Sequence, residues 1–345
     1  MKKNLLIITQ KVDKNDQLLG FFIDWITRFA RKFDKITVLC LEKGEFNLPP
    51  NVNVLSLGKD RRAGKLKLLF NFYFLIFYLS NNYDAVFVHM NPIWVVLGAP
   101  WWRLTGKKIF FWYTSGGVTT KLKLAEKIAD TIFTASPESF RLPSKKVIVT
   151  GHGIDTKLFQ PSEKLKVKSE KLKILSVGRI ASVKNYEVLI DAAKILKDNG
   201  FNFLVTMVGE APLERDRIYE KSLKFKVKNL GLEDVFNFIG KVDHKNLPTY
   251  YQSYDLFVHL SRTGSLDKTL LEAMACGINV LSSNDASKSF LPQNLIFNDK
   301  NSEELANKIT ILKNLEPSSN LRKYVTQNHN LDNLINKIAK TIDER

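Results

Sequence analysis

Only two cysteines occur in the 345 residues, Cys40 and Cys276, each inside an apolar run. Two such thiols make no disulfide framework and point to a reducing compartment. The five histidines are scattered without the Cys/His spacing of a zinc site, so no structural metal is expected. No apolar run reaches the roughly 20 residues that span a bilayer. Residues 5–8 are too short for the core of a secretory signal, and Gln10, Lys11 and Asp13 follow at once. Acidic residues are few: 35 Asp and Glu face 52 Lys and Arg, for a net charge of +17. Disorder is excluded, because 44% hydrophobic and 25% charged residues make a globular composition.

What is present is room for two domains of ordinary size. Short apolar runs alternate with helical periodicity throughout, the pattern of parallel-sheet α/β domains. Strands are expected over residues 4–8, 35–41, 52–57, 85–89, 108–113, 131–135 and 147–149. A second series follows over 172–177, 203–208, 235–239, 256–260 and 279–282, with helices near 186–197, 215–229 and 247–252. The charged, turn-rich stretch 161–171 reads as the linker between the two series.

After the first strand comes a polar loop, 9–19, and Gly20 then opens a helix burying Phe21, Phe22, Trp25, Ile26, Phe29 and Phe33. Asp13, Asn15 and Asp16 suggest a calcium loop, but Leu18 stands where that loop needs its glycine. Residues 65–79, KLKLLFNFYFLIFYL, are apolar nearly all round with a basic start. Two readings stand. One is a helix buried between sheet and neighbouring helices; the other is a helix lying on a membrane, with Arg61, Arg62, Lys65 and Lys67 at the headgroups. Residues 1–150 hold 23 Lys and Arg against 11 Asp and Glu, and residues 151–345 hold 29 against 24. The basic excess of the first half suits an anionic membrane surface, lipid phosphate or acidic glycan, or is a Lys-rich solvated surface. No RNA- or DNA-reading motif accompanies it, so no nucleic-acid partner is expected.

Two stretches carry chemistry. Residues 261–280, SRTGSLDKTLLEAMACGINV, join a polar loop to a short helix over 269–276, stopped at Gly277. A loop that opens a helix leaves N–H donors and the positive dipole end for an anion. Asp267, Lys268 and Thr269 stand at that opening, and Glu272 is expected in the first turn, facing ligand hydroxyls. Residues 174–195, ILSVGRIASVKNYEVLIDAAKI, give an apolar strand, Gly178-Arg179, a loop with Lys184, and an amphipathic helix. Open α/β sheets bind ligands past the carboxyl ends of their strands. Arg179 and Lys184 there, facing a helix N-terminus, describe a diphosphate cradle.

Together these stretches resemble the nucleotide-sugar half of the family 4 retaining glycosyltransferases, which have the GT-B fold. The residues that carry the resemblance are Val177-Gly178-Arg179 with Lys184, Val208-Gly209-Glu210, Phe238-Ile239-Gly240 and LEAMACG at 271–277. Gly153-Ile154-Asp155, with Phe159 and Pro161, is similar to the family's domain junction. The resemblance implies two Rossmann-like α/β domains facing a cleft. Residues 1–160, with 328–345 crossing back, would bind the acceptor, and 161–327 the nucleotide sugar. The implied reaction moves a sugar from a nucleoside diphosphate to a glycan or lipid-linked acceptor, with retention and without metal or other cofactor. The chain also has no Asp-x-Asp pair, the usual metal anchor of the other large glycosyltransferase architecture.

The resemblance also implies roles for single residues. Arg179 and Lys184, beside Gly178 and Gly209, would stabilise the leaving diphosphate. Glu272 would hold the ribose, Gly240 and Lys241 would lie along the base, and Gly20 would approach donor and acceptor. A cytoplasmic protein is implied, with a peripheral seat on the inner membrane face as one option.

The pattern also departs from the family. The first glutamate of its acidic pair would fall at Gly264, and the available carboxylate is Asp267, three positions on. Where many members carry a histidine near the transferred sugar, Ser115 stands, and His89 ends another strand. Either residues 263–268 form a variant sugar pocket in which Asp267 or backbone amides meet the sugar hydroxyls, or turnover has decayed and nucleotide sugar or glycan is bound without transfer.

Overall fold

The computed structural model describes residues 3–16, 18–162, 170–313 and 319–345. They divide into two compact units, Met1–Gly153 with Leu331–Arg345, and Ile154–Asn330. The division falls at 153/154 and 330/331 rather than at 160/161 and 327/328. Of the expected linker, 163–169 lie outside the described residues.

Unit 1 is a seven-stranded parallel sheet. Its strands are β1 (Leu5–Val12), β2 (Ile36–Lys43), β3 (Val52–Ser56), β4 (Ala85–His89), β5 (Lys108–Trp112), β6 (Thr131–Thr134) and β7 (Val147–Val149). Their order is β3-β2-β1-β4-β5-β6-β7. Both faces are covered, so the strands read as continuous apolar runs. Leu5 and Ile7 face a core shared with α1 (Phe22–Ala30), while Leu6 and Ile8 face one shared with α2 (Lys65–Tyr78), α3 (Pro92–Leu104) and α4 (Thr120–Ile128). That is the period of two of a strand.

Two expectations need correction here. β1 runs on to Val12, through residues expected as loop. Its polar end is tolerated because Lys11 lies opposite Glu42 on β2, 3.3 Å from its carboxylate. The reading of 65–79 as a helix buried all round fails too. Within α2 only Phe72 and Ile76 are buried, and Leu66, Phe70, Phe74, Phe77 and Tyr78 stand exposed.

Unit 2 is a five-stranded parallel sheet of β8 (Leu172–Val177), β9 (Phe203–Val208), β10 (Phe236–Phe238), β11 (Leu256–His259) and β12 (Asn279–Ser282). The order is β10-β9-β8-β11-β12. Its helices are α5 (Glu187–Asp198), α6 (Glu214–Asn229), α7 (Leu247–Ser253), α8 (Lys268–Ala275), α9 (Ser302–Leu312) and α10 (Ser319–Asn328). α10 escaped the sequence reading because it buries only Leu321 and Val325. α9 belongs to unit 2; only α11 (Leu331–Asp343) returns to unit 1. α11 has a reason to do so. Its stripe of Leu331, Leu334, Ile335, Ile338 and Ile342 is buried in the α1 core, at about 2 kcal/mol per side chain. Arg28 on α1 adds a 2.7 Å ion pair to Asp332.

Candidate functional site

In unit 2 the strand order reverses between β8 and β11, which sets the loops that follow these two strands side by side. The loop after β8 carries Gly178, Arg179 and Lys184; the loop after β11 carries residues 260–267 and leads into α8. Lys184 sits on a single 3-10 turn, Ser182–Lys184, closed by Asn185 at φ 51°. Asn accepts that left-handed backbone better than most residues, and its Nδ2 donates to the Asp299 carbonyl at 2.6 Å.

Lys184 Nζ reaches across the reversal, 2.5 Å from Asp267 Oδ2 and 3.3 Å from Ser261 Oγ. Asp267 is the residue before α8, yet its side chain makes no cap hydrogen bond; it faces Lys184 and His259 instead. His259, which ends β11, has Nε2 2.9 Å from the same Oδ2 and Nδ1 3.2 Å from Ser282 Oγ. A carboxylate only accepts, so Nε2 carries the proton and Nδ1 accepts from the serine hydroxyl. Burial pushes the His259 imidazole below its ordinary 6.5, against the pull of Asp267, so the ring is neutral near pH 7. Burial alone would raise Asp267, but Lys184 and the His259 hydrogen bond hold it well below its ordinary 3.8.

The rest of the expected diphosphate cradle lies close by. A Cβ built on Gly178 would stand 3.1 Å from the Tyr186 hydroxyl and 3.7 Å from Lys184 Cε. Arg179 is half-buried, and its carbonyl accepts from Tyr186 at 3.4 Å. Gly209 holds the loop from behind. Any Cβ there would fall 1.9 Å from the Gly178 carbonyl oxygen, so only glycine lets the β8 and β9 ends approach this closely. The Gly209 amide donates to the Gly240 carbonyl at 2.8 Å. Lys241 is exposed next to Gly240, Lys268 and Thr269 open α8, and the buried Thr269 hydroxyl has no hydrogen-bond partner among the described residues.

Glu272 is not in the first turn of its helix. α8 begins at Lys268, which puts Glu272 one turn further in, at 3% exposure. Its Oε1 lies 3.0 Å from His244 Nε2 and its Oε2 accepts from the Tyr251 hydroxyl at 3.1 Å. Burial would raise this carboxyl, but His244, Lys268 and Tyr251 hold it below its ordinary 4.5. Two oxygens offer about four acceptor positions, and His244 and Tyr251 use two of them. The sequence reading missed His244, Tyr251 and His259. His259 was findable by the rule that found Arg179: a polar residue at the carboxyl end of an apolar strand.

Gly264 stands at φ 64°, a left-handed conformation that a glutamate adopts only with strain. A pocket of about 490 Å³ opens beside the loop after β11, lined by Ser261, Arg262, Gly264, Lys288 and Asp299 among others; Arg179, Lys184 and Glu272 do not line it. Among the described residues, no group of three or more His, Cys, Asp or Glu is placed to hold a metal.

The candidates in unit 1 are placed less tellingly. Ser115 lies half-buried after β5, its amide donating to the Ser139 carbonyl at 3.0 Å. Gly20 packs on its own loop, where a Cβ would meet the Asp16 carbonyl oxygen at 2.6 Å. His89 is 2% exposed, stacked 4.0 Å from Phe22 and 3.2 Å from Thr9 Oγ1. It borders a cavity of about 350 Å³ with Lys11, Asp16, Glu42 and Lys59.

This cradle at the strand reversal lies within a sequence match to the family described as glycosyl transferases group 1, which covers residues 160–332. The chain belongs to that family. It is 38% identical over 106 residues to the mannosylfructose-phosphate synthase of Agrobacterium fabrum, across 30% of this chain and 23% of the relative. It is 32% identical over 150 residues to the amylovoran biosynthesis glycosyltransferase AmsK of Erwinia amylovora, across 41% and 34%. The chain thus spans about a quarter to a third of these curated relatives. Among solved structures, Anabaena HepE in complex with UDP and glucose matches this chain with a TM-score of 0.79 at 19% identity, covering 100% of both chains. Sucrose-phosphate synthase from Thermosynechococcus elongatus matches with a TM-score of 0.77 at 18% identity, over 99% of each chain. The fold is GT-B, built of two parallel-sheet α/β domains.

Proposed function

We propose that this protein is a retaining, metal-independent family 4 glycosyltransferase that moves a sugar from a nucleoside diphosphate sugar to a glycan or lipid-linked hydroxyl. The observation that carries the reading is the pairing of the loops after β8 and β11, in which Lys184, on the loop of Gly178 and Arg179, meets Asp267, the residue before α8. In the reaction the bond from the anomeric carbon to the diphosphate oxygen breaks, and its electron pair stays on the diphosphate. The acceptor oxygen forms the new bond on the same face, and its proton passes to the departing phosphate. Arg179, Lys184 and the α8 amides stabilise the charge growing on that phosphate more than the charge present beforehand, which lowers the barrier. Asp267 is a positioning residue: it keeps the Lys184 ammonium at the reversal until the diphosphate arrives. Glu272, held by His244 and Tyr251, offers its remaining acceptor positions to the ribose hydroxyls.

Two features favour a second reading. Lys184 is already paired with Asp267, and the position of the first family glutamate is Gly264. A protein that binds nucleotide sugar without transferring it would tolerate both. Release of nucleoside diphosphate from the donor, with and without acceptor, separates the two.

The test of the site is thermal stabilisation by nucleoside diphosphates and their sugars. UDP and UDP-glucose come first, because UDP is what the similar Anabaena protein holds. A ligand at a hundred times its Kd stabilises by about 2.7 kcal/mol. Arg179→Ala is expected to abolish the shift of the best ligand and Glu272→Gln to reduce it severalfold. An unchanged shift in both variants removes the site assignment.

A further inference from the structure

Among the described residues, none covers the outward face of α2. Leu66, Phe70, Phe74 and Tyr78 recur every four residues along that face at 84%, 69%, 55% and 72% exposure. Their rings form a ladder, Phe70 stacked on Phe74 at 6.4 Å and Phe74 on Tyr78 at 5.9 Å. Phe77, 63% exposed, continues the patch onto α3 through Trp101, with ring centroids 4.3 Å apart. Single exposed apolar residues are ordinary, but a contiguous patch marks an interaction surface.

Charge decides the occupant. From Arg61 to Tyr83 the sequence has no Asp or Glu, and Arg61, Arg62, Lys65 and Lys67 stand exposed at the start of the helix. A second copy docking through the same face in a two-fold dimer would offer this basic end no carboxylate from residues 61–83. An anionic bilayer meets both halves of the surface. Aromatic and aliphatic side chains enter the boundary between headgroups and acyl chains, while Lys and Arg stay among the phosphates. Fourteen residues make a helix of about 21 Å, short of the roughly 30 Å hydrocarbon core. No helix among the described residues is long and apolar enough to cross a membrane. Lying flat is what remains for such a helix.

We infer that α2 docks this protein on an anionic lipid surface, the ladder of Leu66, Phe70, Phe74 and Tyr78 entering the bilayer boundary and the basic helix start seated among lipid phosphates. The inference stands apart from the transfer reaction, and its test uses neither donor nor acceptor.

The experiment is co-sedimentation of the full chain with vesicles of phosphatidylcholine alone, or of phosphatidylcholine with about one-third phosphatidylglycerol. Binding is expected to the anionic vesicles, at least tenfold weaker to the neutral ones, and reduced by salt. A Phe70→Ser/Phe74→Ser variant should bind about a hundredfold more weakly. A variant with Arg61, Arg62, Lys65 and Lys67 changed to Gln should lose the preference for anionic over neutral vesicles. The latter keeps the test open should the aromatic variant fail to fold, which its melting curve reveals. Failure to bind anionic vesicles, or equal binding by native protein and folded variants, overturns the inference. So does a solution dimer broken by Phe70→Ser/Phe74→Ser without vesicle binding, which would give the face to a second copy.

Discussion

Unit 1 reverses its strand order between β1 and β4, and unit 2 does so between β8 and β11. In both, the strand beyond the reversal ends in a buried histidine, His89 on β4 and His259 on β11. Their surroundings differ. His89 stacks on Phe22 with Trp25 nearby, and a threonine hydroxyl lies at its Nδ1. His259 also has a hydroxyl at Nδ1, but its Nε2 meets a carboxylate that is paired with a lysine. The same strand end stacks on aromatic rings beside a cavity in one sheet and is hydrogen-bonded into a carboxylate–lysine pair in the other. Fold alone therefore does not assign chemistry to a strand end; what the neighbouring loop brings to it does.

The largest effect expected from disturbing this contrast comes at Asp267. Asp267→Asn leaves Lys184 largely buried, its side chain 11% exposed, without its counter-charge, at about 3 kcal/mol. Urea unfolding across pH checks both the size and the origin. The folded-state value of Asp267 lies below its ordinary 3.8 and that of Glu272 below 4.5. Their stabilisation is therefore complete above those values and is lost as pH falls through the folded ones. His259 lies below 6.5 in the folded state, so the unfolded chain takes up this proton first and stability begins to fall from about pH 6.5 downward. In Asp267→Asn the lower, carboxylate step shrinks to that of Glu272. The histidine step deepens, because Asp267 is the group that favoured the charged ring. A parallel pH curve for native protein and variant would show that Asp267 is not the group responsible.

Much of unit 2 was legible because its chemistry follows the backbone. Gly178, Arg179 and Lys184 come directly after an apolar strand, and a strand's carboxyl end is a binding position wherever the sheet is open. What was not legible is which partner each charge takes. Glu272 was expected to face a ligand, and its oxygens meet His244 and Tyr251, which lie 28 and 21 positions away. Lys184 was expected as a fixed cation of a diphosphate cradle, and it pairs with Asp267, 83 positions away. Such partners follow from the sheet order, which hydrophobic period does not encode. α2 was ambiguous for another reason: an apolar pattern on both faces says nothing about which face the rest of the chain covers.

A smaller effect is expected at Gly264, where the two histories of the loop part. If the site had merely lost a carboxylate, Gly264→Glu would restore it and strengthen binding of a nucleotide sugar over its diphosphate. At φ 64° the new side chain instead costs about 1–2 kcal/mol of strain. Thermal melting should show the loss, with the UDP-glucose shift no larger than the UDP shift. A gain specific to the sugar nucleotide would mean that the loop relaxes to the family's usual form.

The smallest effect is expected at His89. His89→Phe keeps an aromatic ring on Phe22 and gives up the hydrogen bond with Thr9, about 1 kcal/mol. The stability loss should therefore be slight, and the nucleotide-induced shift should not change at all. His259→Phe, the same substitution at the matching strand end of unit 2, removes a hydrogen bond to an ionised carboxylate that fixes Lys184, and should lower both. Equal losses of nucleotide binding in the two variants would erase the distinction between the sheets. His89 would then have to be counted with the ligand-binding residues, although its position is that of a packed core side chain.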